Sequence, residues 1–288
     1  MNAKPEYVMG HTDRERRRLA LQAAILNPLT DSFLRRAGVS AGMSVLELGC
    51  GIGEVSLIAA RLVGPHGQLH ALDVDPAALE IARQRIRSAG HDHVTLEQVD
   101  VAEHVPARHY DAVIGRHILI HTRDALAVLK KAVSMVRDGG LIAFQEYDLS
   151  VRCRTYPEMP FMSGVADQII EFFRRAVPKP DIGTQLFFLM QEAGLPPAEC
   201  RAESIMDGGP HSPLYEWLAE TVISLSAKFE ALGMEPLQNT DGASLAQQLR
   251  EEAIQKRGVI VGPMMVGAFA RKKASSRNSE PERGASSS

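Results

Sequence analysis

The sequence has little of what would hold a protein together from outside a packed core or carry it to a special place. It has three cysteines, Cys50, Cys153 and Cys200, at spacings that fit neither a disulfide framework nor a metal ligand set. No apolar run approaches the ~20 residues needed to cross a bilayer, and the N-terminal stretch lacks an apolar secretory core. A formal net charge of -3 leaves no field that would gather nucleic acid or an anionic membrane surface. The expectation is a soluble, reduced, cytoplasmic protein that binds no nucleic acid, no membrane and no metal.

What the chain does have is a glycine loop. Ser44 to Glu54 reads Ser-Val-Leu-Glu-Leu-Gly-Cys-Gly-Ile-Gly-Glu: a short apolar run, three alternate glycines, then a helical pattern from Val55 to Leu62. Gly49, Gly51 and Gly53 allow positive φ angles and let backbone N–H groups approach a ligand at a helix N-terminus. The spacing is tighter than the Gly-x-Gly-x-x-Gly of dinucleotide folds, which disfavours a nicotinamide-dependent dehydrogenase. By itself such a loop is equally a tight turn with no ligand. The next strands give it more weight. Gln68 to Val74 carries Asp73 near its end, about twenty residues past the loop, where a carboxylate can accept from ribose hydroxyls. Val94 to Val99 ends in Asp100, Tyr110 to Gly115 forms a fourth strand, and Leu141 to Tyr147 a fifth.

With 288 residues and 45% hydrophobic content, the chain can bury one large α/β core and a smaller satellite. Taken in order, residues 1–40 form an N-terminal arm and two helices, the first stopped by Pro28 and the second running from about Thr30 to Ala37. Residues 41–150 alternate strand and helix, with Asp75 and Pro76 opening a helix to Ser88 and a turn at Arg137–Gly140 before the fifth strand. Residues 150–160 read as loop. Residues 151–272 hold the rest of the core, with a sixth strand at 200–206, helical insertions at about 157–177 and 212–257, and a closing β segment from Val259 to Ala270. Residues 273–288 read as a disordered tail.

Val45-Leu46-Glu47-Leu48-Gly49-Cys50-Gly51-Ile52-Gly53, Leu72-Asp73-Val74-Asp75, Gln98-Val99-Asp100-Val101 and Tyr110-Asp111-Ala112-Val113 together resemble the first four motifs of the class I S-adenosylmethionine-dependent methyltransferases. The resemblance covers about residues 40 to 150 and returns at 258 to 272. It is nearest to the ubiquinone/menaquinone-type and natural-product enzymes. It implies an α/β, Rossmann-like, doubly wound seven-stranded sheet with an antiparallel last strand, N-terminal helices over the cofactor and a helical lid. It also implies S-adenosyl-L-methionine as cofactor. Glu47, Gly49, Gly51, Gly53, Asp73, Val74, Asp100, Val101 and the Arg116 backbone would hold it, and Arg18 with Gln22, four apart on one helical face, could reach its carboxylate.

The same resemblance argues against several acceptors. Arg116-His117-Ile118 stands where enzymes acting on DNA amines carry a Pro-Pro stretch, no cysteine follows a proline, and the acidic hairpin of protein arginine methyltransferases is missing. What remains is a small, partly apolar metabolite, methylated on oxygen, nitrogen or carbon in secondary or quinone-type metabolism. A non-methylating cyclase or rearrangement catalyst on the same fold is the alternative. His117 and His121 follow the fourth strand and can serve as bases near neutral pH. In the fifth strand Glu146 and Tyr147 point to opposite faces, so one of them faces the cavity. Tyr7, His11, Tyr215 and Trp217 are candidate substrate contacts, and the lid could also serve a homodimer.

Overall fold

The computed structural model describes residues 13–235 and 241–274. Tyr7 and His11, and the expected tail beyond residue 274, lie outside the described residues. Where two N-terminal helices were expected there is one, α1 (Asp13–Ala37), with Pro28 inside it. A proline costs a helix its own N–H and strands the carbonyl four residues earlier. Pro28 and Ala24 both lie on the exposed side, where solvent can take that carbonyl. The opposite side buries Ile25, Leu26, Phe33 and Leu34, and this packing carries the helix through.

The core follows as β1 (Ser44–Leu48), α2 (Glu54–Val63), β2 (Gln68–Asp73), α3 (Pro76–Ser88), β3 (Val94–Gln98) and β4 (Tyr110–Arg116). As expected, Asp75 caps α3, accepting from the Ala77 N–H at 2.9 Å, and Pro76 opens the helix. A 3₁₀ turn at Leu119–His121 leads to α4 (Ala125–Met135) and β5 (Val136–Asp148). The turn expected at Arg137–Gly140 is instead an irregular start to β5, with its register against β4 shifting between Tyr110 and Ala112. The Gly139 N–H donates to the Lys272 carbonyl and the Lys272 N–H to the Gly140 carbonyl, both at 2.9 Å. Distant pairing therefore makes this stretch a strand.

The remaining elements are β6 (Arg154–Tyr156), α5 (Pro160–Ala176), α6 (Ile182–Glu192), β7 (Glu199–Glu203), β8 (Met206–Gly208), α7 (Leu214–Phe229), α8 (Gly242–Lys256), β9 (Val259–Val261) and β10 (Met264–Arg271). The main sheet has the order β3-β2-β1-β4-β5-β10-β7. Its first five strands are parallel, and β10 lies antiparallel between β5 and β7. This is the expected Rossmann-like sheet. Strand order reverses between β1 and β4, so a crevice opens at their carboxyl ends.

Both faces of the sheet are covered, which is why its strands read as nearly continuous apolar runs. Phe33, Leu34, Val55 and Ile58 of α1 and α2 pack on Val45, Leu69, Ile114 and Ala143. Leu129, Ala132, Leu186 and Met190 of α4 and α6 pack on Leu46, Leu48, Ile142 and Phe144. A third core joins α5, α7 and α8 to Ile25 and Leu26 of α1 and to Met265 of β10. These are the helices expected as a lid. Beside them β6, β9 and β8 form a small antiparallel sheet. The loop expected at 150–160 thus contains a strand, and the segment from Val259 is split in two at Gly262 and Pro263. Strands of three residues paired far along the chain leave no local period to read.

Where α1 crosses β10 the backbone contact is close. A Cβ on Gly267 would lie 2.5 Å from the Phe33 ring, itself packed edge-on to Phe269 at 6.2 Å. Gly267→Ala is therefore expected to destabilise the protein by about 1–3 kcal/mol through overpacking, measured as a lower urea midpoint at unchanged slope.

Candidate active site

The glycine loop is held open by its own geometry. Gly49, Gly51 and Gly53 have φ of +68°, +52° and +84°, values that side chains resist. A Cβ on Gly49 would strike Ile118 at 2.9 Å, whereas one on Gly51 would meet nothing within 4 Å. Gly51 borders open space at the tip of the loop. Asp73 fixes that tip: its carboxylate accepts from the Gly51 N–H at 2.7 Å and the Asp75 N–H at 3.0 Å. Arg85 braces the loop from α3, donating to the Ile52 carbonyl at 2.8 Å.

Beyond Asp73, Val74 is 54% exposed, a large apolar side chain left uncovered beside the loop. Asp100 follows β3 and turns the chain there, accepting from the Ala102 N–H at 2.9 Å, and Val101 packs against the main core. The predicted cofactor residues Gly49, Gly51, Gly53, Asp73, Val74, Asp100 and Val101 thus come from the glycine loop and the ends of β2 and β3. Glu47 is different. It is buried, with Ser56 donating to it at 2.6 Å, and burial pushes its pKa up to about 7, partly opposed by the Ser56 bond and the Arg116 charge. Its contact is a tie between β1 and α2.

The α1 side of the crevice is polar and interlocked. The Arg116 side chain donates to Asn27 at 3.0 Å and Thr30 at 2.8 Å, and Thr30 donates to Gln145 at 2.7 Å. Asn27 also donates to Glu54 at 2.9 Å, and Glu54 pairs with Arg85 at 2.6 Å. Arg18 is buried, donates to Gln22 at 2.7 Å, and lies near enough to His117 and Tyr147 to influence both. Sequence reasoning assigned Arg116 by its backbone alone and missed Asn27, Thr30 and Gln145. Asn27 and Thr30 were read as the ends of two helices, so the face they share on one helix was not considered.

The pair Glu146 and Tyr147 divides as alternation requires. Glu146 is wholly buried and accepts from the backbone N–H groups of Ile118, Leu119 and Ile120 at 3.0, 2.8 and 3.3 Å. Burial pushes its pKa up to about 8 against these three donors. The expected catalytic role of Glu146 is corrected accordingly: its carboxylate is spent on the loop after β4. Tyr147 faces the other way, with a buried hydroxyl that has no hydrogen-bond partner among the described residues. Its ring stacks on His117, centroids 4.2 Å apart and planes 13° off parallel.

His117 has a left-handed backbone, φ +55°, and its Nε2 lies 3.3 Å from the Met265 sulfur. Burial, followed by the charge of Arg116, lowers its pKa well below the usual range, and burial lowers that of His121. Both rings are neutral at pH 7, acceptors of low basicity. Tyr215 is corrected as a substrate contact. It is sealed in the lid core, its hydroxyl donating to the Gly209 carbonyl at 2.9 Å. Trp217 keeps a buried Nε1 without a partner, as do Gln168 Oε1 and Ser224 Oγ on the lid helices. A cavity of about 290 Å³ lies elsewhere along α5, between Arg152, Asp167, Glu171 and Met234, and touches none of the expected site residues.

A switch-point crevice with a glycine loop, an acidic β2 end and an antiparallel strand beside β5 defines the S-adenosylmethionine-dependent methyltransferase class. Residues 39–180 match a family model described as methyltransferase domain. Among relatives, the aklanonic acid methyltransferase DauC of Streptomyces sp. (strain C5) is 33% identical over 120 residues, 41% of this chain and 54% of that protein. Methyltransferase GfsG of Streptomyces halstedii is 32% identical over 121 residues, 41% of this chain and 42% of that one. The chain thus spans about half the length of these relatives. The YcgJ protein of Bacillus subtilis shares the fold at a TM-score of 0.55 and 12% identity, over 85% of this chain and 98% of that one.

Glu47 holds its proton to higher pH in the folded state than in the unfolded chain, from an ordinary 4.5 to about 7. The folded state therefore binds more protons across that window, and its contribution to stability falls as pH rises through it. Glu47→Gln is expected to flatten the decline in urea midpoint between about pH 4.5 and 7, with little change at pH 4.

Proposed function

We propose that the chain binds S-adenosylmethionine across the carboxyl ends of β1, β2 and β3 and transfers its methyl group to oxygen, nitrogen or carbon of a small, partly apolar metabolite under the lid. The observation that carries this reading is the glycine loop, clipped by Asp73 and open at Gly51. A nucleoside placed there meets Asp73 at its ribose and the exposed Val74 and partly buried Val101 at its base. Asp100 lies within the same turn for the adenine amine. Charge-assisted hydrogen bonds from ribose hydroxyls to a carboxylate are about twice as strong as neutral ones.

The cofactor carries a sulfonium whose methyl leaves by in-line displacement, so the protein supplies position and a dry cavity. Arg18, held by Gln22 on α1, is the group suited to the methionine carboxylate. Under the lid, the unpartnered Tyr147 hydroxyl and Trp217 N–H offer donors to an oxygen-bearing acceptor, amid the apolar side chains of the third core. A buried donor with no partner costs about 1–3 kcal/mol, so a ligand that supplies one gains by it. His117, neutral and stacked on Tyr147, is the base assigned here, and its low basicity suits a nucleophile with an acidic proton such as a phenol. An organic-acid acceptor agrees with the name of one Streptomyces relative, an aklanonic acid methyltransferase.

Calorimetric titration of the full chain is expected to show binding of both S-adenosylmethionine and S-adenosylhomocysteine. Asp73→Ala should weaken it about 100-fold or more; unchanged affinity would remove Asp73 from the ribose. With an acceptor found by screening phenols, amines and polyketide-like acids for a mass gain of one methyl, Tyr147→Phe should raise KM for the acceptor about tenfold and leave cofactor affinity alone. Conversion of an acceptor without S-adenosylhomocysteine appearing would instead support cyclisation or rearrangement.

A further inference from the structure

One cluster of metal-type side chains lies apart from this crevice. His70 on β2, Glu97 on β3 and His104 in the connection from β3 to β4 place one nitrogen or oxygen each within 4.8 Å of one another. His70 Nε2 is 2.9 Å from Glu97 Oε2, and His104 Nδ1 is 3.2 Å from the same oxygen. The rings of the two histidines meet edge to face at 5.2 Å. Three donors from three segments thus converge on one point. They escaped sequence reasoning because they lie 27 and 7 residues apart, with none of the spacings that mark a metal motif.

We propose that His70, Glu97 and His104 bind a divalent transition metal of the zinc type. Two imidazoles and a carboxylate are a donor set that zinc takes with a fourth position left for water. Ligand atoms about 3.3–3.5 Å apart are what tetrahedral bonds of about 2.0–2.1 Å require, so the two measured separations need to open only slightly. The second nitrogen of His70 is already held, at 2.7 Å from the buried Tyr110 hydroxyl. Such an outer hydrogen bond fixes the ring orientation of a metal-bound histidine.

Without a metal the arrangement recovers little. His104 is only 4% exposed, yet among the described residues its ring's polar contact is the 3.2 Å approach to Glu97, whose side chain is 42% exposed. Two histidines sharing one half-exposed carboxylate oxygen therefore gain only screened contacts, whereas a cation engages all three ligand atoms at once. The half-exposed carboxylate gives an ion its route in.

The bound ion would staple the β3–β4 connection to the two outer strands of the parallel sheet. The His104 N–H donates to the Asp100 carbonyl at 3.0 Å, so the staple holds the turn that bears Asp100 and Val101. His70 lies three residues before Asp73 and, by alternation, on the other face of β2. The cluster is therefore separate from the glycine-loop crevice, and metal uptake can be measured whatever that crevice binds.

The test uses the full chain, stripped with a chelator and dialysed, then titrated with Zn²⁺ by calorimetry, with bound metal counted by elemental analysis. The expected result is one Zn²⁺ per chain with a micromolar or tighter Kd, a raised melting temperature, and a visible tetrahedral absorption when Co²⁺ replaces zinc. Glu97→Gln, at a half-exposed position, should weaken binding about 10-fold or more, and His104→Ala should do the same, while the double variant His91→Ala, His93→Ala should bind like the wild type. Should the stripped wild type take up no Zn²⁺ at 100-fold excess, or should Glu97→Gln, folded by its circular dichroism, bind unchanged, the proposal is overturned.

Discussion

Glu146 sets the shape of the crevice. Its carboxylate, sealed in β5, gathers the N–H groups of Ile118, Leu119 and Ile120 as the chain leaves β4. An unmade bond to a buried polar group costs more than a made one contributes, so these contacts over-determine the loop. That rigidity can sustain a left-handed backbone at His117, a conformation costing of order 1–3 kcal/mol for a residue with a side chain. With His117 so placed, its ring lies flat on Tyr147 and the Ile118 side chain comes up beneath Gly49. One carboxylate thereby links β5, the end of β4 and the glycine loop.

The two sides of the crevice then differ in kind. The glycine-loop side is built from backbone, with positive-φ glycines and carboxylates that hold N–H groups. The α1 side is built from side chains: Arg116, Asn27, Thr30 and Gln145 form linked polar pairs between helix and sheet, and Arg18 pairs with Gln22 along α1. A buried polar network of this sort has low tolerance for a missing member. The lid adds mainly apolar surface, with a few stranded donors and acceptors. That division suits an enzyme whose cofactor is constant and whose acceptor is particular to it, since lid helices can vary without disturbing the glycine loop.

The proposed metal cluster fits the same economy. The β3 edge lacks a neighbouring strand on its outer side, and the connection that follows it, from residue 99 to 109, holds no helix or strand. His104 anchors that connection to β2 and β3 through Glu97. A metal there would order the β3–β4 connection from the face opposite the nucleotide.

Much of this was legible in the chain itself. The alternation of apolar runs and helical periods, the Gly-x-Gly-x-Gly loop, Asp73 at the end of β2 and the Asp75-Pro76 helix start are local signals, set by backbone sterics and capping, and the structure places them where local physics puts them. What tertiary structure decided is everything that depends on a partner far along the chain. Pro28 stays inside a helix because packing against the sheet outweighs its local cost. Arg137–Gly140 becomes strand because Lys272 pairs with it. Glu146 and Tyr147 were known to face opposite ways, but which faced the cavity depended on which face received the loop after β4. His70, Glu97 and His104 meet only because β2 and β3 are neighbours and the chain returns beneath them. Side-chain convergence is a property of the folded sheet, and sequence order carries it only once the pairing is known.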